Sequence, residues 1–249
     1  MGRAVTGVIL AGGQSKRMGR DKAHLPWGDR TLIEHIVDTL RPVTDEIIVV
    51  ANDAVPFSHL RTRVVEDLVL GAHALGGLYT GLTLAAHEQC FVCACDAPFL
   101  NPALIQFLIQ QADGWDLVIP RTREGLQPLH TVYRRSILPA IEEQLRMQQW
   151  DLRALVPNVC ASIISPEQIA RLDPEALSFF NVNTPEDYAT ARNLSGRPAR
   201  SWLVGKTKEM LPSAAASPAT AGPAPTASGT PRVAASDRRS KSTGAGGVC

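Results

Sequence analysis

The sequence predicts an α/β fold: a mostly parallel sheet flanked by helices over residues 1–194, followed by a low-complexity, disordered tail over residues 195–249. Three observations carry that expectation. Short β-branched and apolar runs recur at 5–10, 46–51, 63–66, 90–95, 116–120 and 161–164, and runs this short suit strands buried within a parallel sheet. Longer amphipathic stretches lie between them, the alternation that βαβ units produce. Beyond Ser195 the composition turns to Ala, Pro, Ser, Thr and Gly, which bury too little apolar surface to offset the entropy lost on ordering.

Taken in chain order, the first strand at 5–10 runs straight into Gly12 and Gly13. A helix follows over 31–41, where Leu32, Ile36, Val37 and Leu40 share one stripe. The segment from Gly71 to Gly81 predicts a glycine-rich turn that opens a helix reaching about residue 87, and such turns let a ligand approach the backbone. Leu104, Ile105 and Leu108 predict a second amphipathic helix over 102–111. Near the end, Thr184 suits an N-cap, Pro185 the first helical position and Asp187 a side chain that reaches back, so a final helix runs over about 185–193. In the tail, Trp202 and Leu203 are the plausible anchor, beside a basic patch at Arg238, Arg239 and Lys241. That segment is either a solvated appendage or a docking element.

The 249 residues carry 25 basic and 24 acidic side chains, so no overall field draws the chain to nucleic acid or an anionic membrane. Any anion must be gripped by a local site. The opening MGRAVTG leads into a strand without the apolar run of a secretory signal, and no stretch is long enough to span a bilayer. A cytoplasmic protein is expected. Three of the five cysteines, Cys90, Cys93 and Cys95, crowd one apolar run. In a strand Cys93 and Cys95 would share a face while Cys90 points away, which suits small core residues better than a metal or redox site. Cys249 reads as an exposed terminal thiol. The six histidines, His24, His35, His59, His73, His87 and His130, stand in unlike contexts and read as ordinary surface or core residues.

Chemistry concentrates in the segment from Val8 to Lys22, VILAGGQSKRMGRDK. A buried strand ends in two glycines and a polar loop with Lys16, Arg17, Arg20 and Lys22. Residues without Cβ let backbone N–H groups close on phosphate oxygens while the cations neutralise charge. The spacing is neither that of a Walker loop nor GxGxxG, and a tight turn with a solvated basic loop would also fit. Asp96 follows the apolar run 91–95. Ligands of open parallel sheets collect at the carboxyl ends of strands, so Gly12 and Asp96 should lie on one edge, where a carboxylate would bridge a magnesium ion to a triphosphate. The alternative is an N-cap for the helix after Pro98. Asn52 and Asp67, at two other strand ends, either read a base or ribose or satisfy a turn.

Together these residues resemble the molybdenum cofactor guanylyltransferase family. The resemblance rests on Leu10-Ala-Gly-Gly-x-Ser-x-Arg-Met-Gly-x-Asp-Lys22, Val65-Glu66-Asp67, Gly76-Gly77-Leu78, Cys95-Asp96-Ala97-Pro98, Gly125-Leu-Gln-Pro-Leu129 and Phe180-Asn-Val-Asn-Thr-Pro-Glu-Asp187, and it covers about residues 5–194. It departs at the glycine loop, which reads Gly-Gly-Leu-Tyr79-Thr80-Gly where Gly-Pro-Leu-Ala-Gly is frequent, and at Val50, where some members have Asn.

The resemblance implies a Rossmann-like, three-layer nucleotidyltransferase domain that passes GMP from GTP to the phosphate of the molybdenum cofactor, with magnesium. It implies nucleotide contacts from the backbone of Leu10, Ala11 and Gly12, with Gly13 shaping the turn. Arg17 and Lys22 would face the phosphates, Asp67 the nucleoside, and Asp96 would hold the metal. Gln127, Asn181 and Asn183 would lie toward the acceptor. Molybdenum-insertion proteins or apo-molybdoenzymes are the implied protein partners. Rival readings are transfer of CMP to the same acceptor, a sugar-phosphate nucleotidyltransferase, and a carrier module without turnover.

Overall fold

The computed structural model describes residues 4–12 and 22–196. Gly13 and Arg17 lie outside the described residues, as do the tail beyond residue 196 and Cys249. In chain order the described elements are β1 Val5–Leu10, β2 Pro26–Trp27, β3 Arg30–Thr31, α1 Leu32–Leu40, β4 Glu46–Ala51, β5 Arg63–Glu66, α2 His73–Leu84, β6 Gln89–Ala94, α3 Pro102–Gln110, β7 Leu117–Thr122, β8 Gly125–Leu126, β9 His130–Arg134, α4 Leu138–Arg146, β10 Ala161–Ile164, α5 Pro166–Ala170 and α6 Pro185–Ser195. The main sheet has the order β10-β7-β9-β6-β1-β4-β5 with β8 paired to β7, while β2 and β3 form a separate hairpin.

The expected mostly parallel sheet is present. β1 lies parallel between β4 and β6, with Leu10 opposite both Val50 and Ala94. All six of its residues are buried, as a strand covered by helices on both faces requires. Alternation along the strands then divides the interior. Ile9, Val49, Phe91 and Cys93 pack with α1 and α3, whereas Val8, Leu10, Ile48, Cys90 and Val92 pack with α2 and α4. Cys90 and Cys93 therefore sit on opposite faces, each wholly buried, and Cys95 packs on the Cys93 side. Burial pushes the Cys90 thiol up to about 12 and raises that of Cys93 as well. Both are core residues.

Three elements differ from the sequence expectation. β9 is antiparallel to β6 and β7 and separates them, so the sheet is mixed. Its HTVYR sequence ends in a charge and offers only a brief alternation, yet Val132 and Tyr133 fill opposite sides of the sheet. The amphipathic α4 buries Ile141 and Gln144. The glycine-rich segment is not a turn before a helix: Gly76, Gly77 and Gly81 lie inside α2, which ends at Leu84 rather than near residue 87. Close packing explains the glycines. A Cβ at Gly81 would overlap Val8 Cγ1, and one at Gly76 would sit 2.5 Å from the Val69 carbonyl oxygen.

The helix boundaries follow local chemistry. Thr31 and Glu34 form a capping box at α1, and Thr184 and Asp187 form another at α6, each satisfying backbone donors that the first turn leaves open. No helix among the described residues is long and apolar enough to cross a membrane.

Candidate active site

Four adjacent parallel strands end along one edge of the sheet. In the spatial order β6, β1, β4, β5 their carboxyl ends lead to Asp96, Gly12, Asn52 and Asp67. Backbone hydrogen bonds continue the pairing past the strands: Cys95 N–H donates to Leu10 O (3.1 Å), Ala11 N–H to Val50 O (2.8 Å) and Asp67 N–H to Ala51 O (2.8 Å). Gly12 and Asp96 thus share the edge expected of them. The Leu10 carbonyl and Ala11 N–H are already committed to this pairing, whereas the Ala11 carbonyl and Gly12 N–H make no backbone hydrogen bond among the described residues. A Cβ on Gly12 would stand 3.3 Å from Asn52 Oδ1, so these two strand ends converge.

Lys22 opens a short 3-10 helix, Lys22–His24. Its Nζ donates to Asp96 Oδ2 (3.1 Å) and to Asn183 Oδ1 (2.7 Å). The Lys22 and Asp96 side chains are only 17% and 16% exposed, so their charges meet in a partly dry setting, where a fixed charge acts more strongly than in open water. Asp96 is not a helix cap, because Asn101 caps α3 by accepting from Ala103 N–H and Leu104 N–H. The segment leading into α6 crosses this centre: Val182 N–H donates to Asp96 O (2.8 Å), and the Asn183 and Thr184 N–H groups donate to Asp187 Oδ2 (2.9 and 2.8 Å). The α6 capping box therefore also aims Asn183 at Lys22.

Asp67 is braced rather than loose. Thr80 Oγ1 donates to its Oδ1 (2.7 Å), as does Val69 N–H (3.1 Å), and Leu68 N–H donates to Thr80 Oγ1 (2.9 Å). Asp67 satisfies a turn with one oxygen, at the carboxyl end of β5. Thr80 is the partner that sequence reasoning missed, and its spacing four residues after Gly76 on α2 is the available signal.

The acceptor-side candidates separate. Asn183 touches Lys22, whereas Asn181 is exposed two residues earlier. Gln127 Nε2 donates to Thr122 Oγ1 (2.8 Å) and Gly125 O (3.4 Å), so its side chain ties together the β7–β8 turn. Three further residues were not singled out for the site. Tyr188 Oη donates to Pro26 O (2.5 Å) and Arg192 to the same carbonyl (3.4 Å), which fastens α6 to the hairpin following Lys22. His130 is buried edge-on to Phe91 and beside Phe179, with ring centroids 5.1 and 4.9 Å away.

The donors at this edge suit a hard cation. Among the described residues Asp96 uses only Oδ2 on Lys22, and no group of three or more His, Cys, Asp or Glu is gathered there. A cation held by Asp96 would draw the rest of its shell from phosphate oxygens and water, the habit of magnesium.

A family model described as the MobA-like NTP transferase domain matches residues 7–159. A relative in Pelotomaculum thermopropionicum, named probable molybdenum cofactor guanylyltransferase, is 39% identical over 201 residues, 80% of this chain and 98% of its own. The chain belongs to the MobA-like NTP transferase family. A second member, the molybdenum cofactor guanylyltransferase of Desulfosudis oleivorans, is 37% identical over 76% of this chain and 94% of its own. The crystal structure of molybdopterin-guanine dinucleotide biosynthesis protein A from Archaeoglobus fulgidus has the same fold, with a TM-score of 0.68 at 24% identity over 76% of this chain and 98% of that one. As a MobA-like NTP transferase the protein is a nucleotidyltransferase. The matched span ends at residue 159, so Asn183 reaches into the family domain from beyond it.

Proposed function

We infer that the protein transfers GMP from GTP to the terminal phosphate of molybdopterin, forming the guanine dinucleotide cofactor and pyrophosphate. The observation that carries this reading is the Lys22–Asp96 pair at the joined ends of β1 and β6, in a chain whose relatives are named molybdenum cofactor guanylyltransferases. Leu10 sets the end of β1, and Ala11 and Gly12 offer backbone groups to the nucleotide. Asp67 and Asn52 lie where a nucleoside would be read. The acceptor's own phosphate oxygen attacks the α-phosphorus while the bond to the bridging oxygen of pyrophosphate breaks. No protein nucleophile is needed.

Lys22 faces the charge that develops on the α-phosphate and leaving pyrophosphate, and a preorganised cation stabilises that charge as it forms. Asn183 holds the ammonium in place when no phosphate is present. Magnesium bound at Asp96 would neutralise the triphosphate and align it for in-line displacement. Arg17 is proposed to add a second phosphate contact and Gly13 to shape the loop. Asn181 and Gln127 are assigned to the acceptor side. The catalytic domain is proposed to span residues 1–194 and to work in the cytoplasm, handing its product to molybdenum-insertion or apo-molybdoenzyme partners.

The test is pyrophosphate release by the purified protein with molybdopterin and magnesium, comparing GTP, CTP, ATP and UTP. Selective turnover of GTP supports the reading. Preference for CTP would reassign the nucleotide, and silence with all four would favour a carrier without turnover.

A further inference from the structure

A cavity of about 520 Å³ lies on the α5 side of the sheet, within the size range of small-molecule sites. Its inner wall is made by Phe179 and Phe180 and its rim by Arg123 and Glu124 of the β7–β8 turn. Both aromatic residues are half-buried, and Phe180 is held by Phe99 (ring centroids 6.0 Å apart). The rim side chains Arg123 and Glu124 are exposed, and among the described residues neither makes a hydrogen bond or ion pair with its charged group. Two unspent opposite charges therefore stand over an aromatic wall.

The cavity is built rather than incidental. Asp173, 6% exposed, accepts from Leu177 N–H (3.1 Å) and Ser178 N–H (2.8 Å), which fixes one wall. At its lip Ala176 has φ of 52°, a left-handed conformation that costs a residue with a Cβ about 1–2 kcal/mol and that clusters at ligand sites. The rim is fixed as well, because Gln127 ties Thr122 to Gly125 across the turn that carries Arg123 and Glu124.

The cavity is tied to the catalytic centre through the chain, since Val182, two residues after Phe180, donates its N–H to Asp96 O (2.8 Å). Phe180 is followed within three residues by Asn183, which touches Lys22, and three residues of chain span at most roughly 10 Å. A ring against Phe180 would leave an arm of about that length to present a phosphate beside Lys22.

We propose that this cavity seats the fused heteroaromatic ring of the phosphorylated acceptor, stacked on Phe179 and Phe180, with Glu124 and Arg123 reading its polar edge. The assignment rests on the acceptor being a pterin phosphate, as inferred above. The amino-pyrimidinone edge of a pterin offers adjacent N–H donors, which a carboxylate accepts in parallel, and a carbonyl oxygen, which a guanidinium can donate to.

The test uses the full chain and two variants. Ala170→Trp, at an exposed position lining the cavity, fills it without disturbing the core, and Glu124→Gln removes the charged acceptor. Free pterin is titrated by its own fluorescence, and KM is measured separately for molybdopterin and GTP. Saturable quenching by the wild type, weakened in Ala170→Trp, is expected, with the molybdopterin KM raised about tenfold in Glu124→Gln and the GTP KM unmoved. Unchanged acceptor KM in both variants with GTP turnover intact would place the ring elsewhere and leave the proposed function standing. Absence of turnover in the wild type would overturn the proposed function, and pterin that still binds the wild type but not Ala170→Trp would uphold the cavity as a pterin site.

Discussion

The Lys22 ammonium stands 3.1 Å from the Asp96 carboxylate, across 74 positions of sequence. The pairing depends on β1 and β6 being adjacent and parallel, with Leu10 opposite Ala94. Lys22→Ala and Asp96→Asn are each expected to lower kcat by about 10²–10³ while the circular dichroism spectrum stays native. Pyrophosphate release under saturating GTP measures the loss, and turnover near the wild-type rate in either variant would remove the pair from the chemistry.

Asn183 and Asn181 are expected to behave differently. Asn183→Ala frees the Lys22 ammonium from one of its two partners among the described residues, so kcat should fall about tenfold with little change in GTP affinity. Asn181→Ala should raise the acceptor KM and spare kcat. Identical kinetic profiles for the two variants would contradict the division.

Gly76 is a position where alanine, the better helix former, should do harm. Its Cβ would approach the Val69 carbonyl oxygen to 2.5 Å and Asp67 Oδ2 to 3.1 Å. Gly76→Ala is expected to cost about 1–3 kcal/mol of stability and to weaken GTP binding by displacing the Asp67 turn. Urea unfolding and calorimetric titration of GTP report the two effects separately.

His130 links stability to pH. Burial lowers its pKa from the usual 6.5 to about 3, and neither ring nitrogen has a partner among the described residues. Between those values the unfolded chain holds a proton that the folded protein does not, so stability falls as pH drops from about 6.5 toward about 3, by up to about 1.4 kcal/mol per unit. Above pH 7 the residue contributes no slope. His130→Phe should flatten the acid limb relative to the wild type in denaturation midpoints measured from pH 7 to pH 4. Superimposable limbs would show that other groups control it.

The C-terminal boundary is open to a direct check. α6 continues to Ser195, and Gly196 N–H donates to Arg192 O (3.2 Å), so the helix closes just past the boundary expected at residue 194. A chain ending at Gly196 should keep both its melting temperature and its rate of pyrophosphate release. Loss of most turnover would make the remaining residues part of the enzyme.

Much of this was legible in the sequence because it is local. The strands at 5–10, 46–51, 63–66 and 161–164 match the structure, since a short apolar run has few alternatives when helices cover both faces. The Thr184 cap and its Asp187 partner were readable because a capping box spans only three residues. β9 was not, because its place between β6 and β7 comes from pairing with strands distant in the chain, and its own pattern is brief.

For the site, the sequence determined which groups exist: a lysine after a glycine loop, carboxylates and an asparagine at strand ends, and the Asn-Val-Asn segment before a capped helix. Only the tertiary structure decided their partners. It gave Lys22 to Asn183 as well as Asp96, gave Asp67 to Thr80, and put Gly76 and Gly81 inside a helix, where they let α2 lie close against β1 and the Asp67 turn. The physical reason is that hydrogen bonds and close packing depend on distances of a few tenths of an ångström between segments far apart in the chain, and those distances arise only once the sheet has set its order and register.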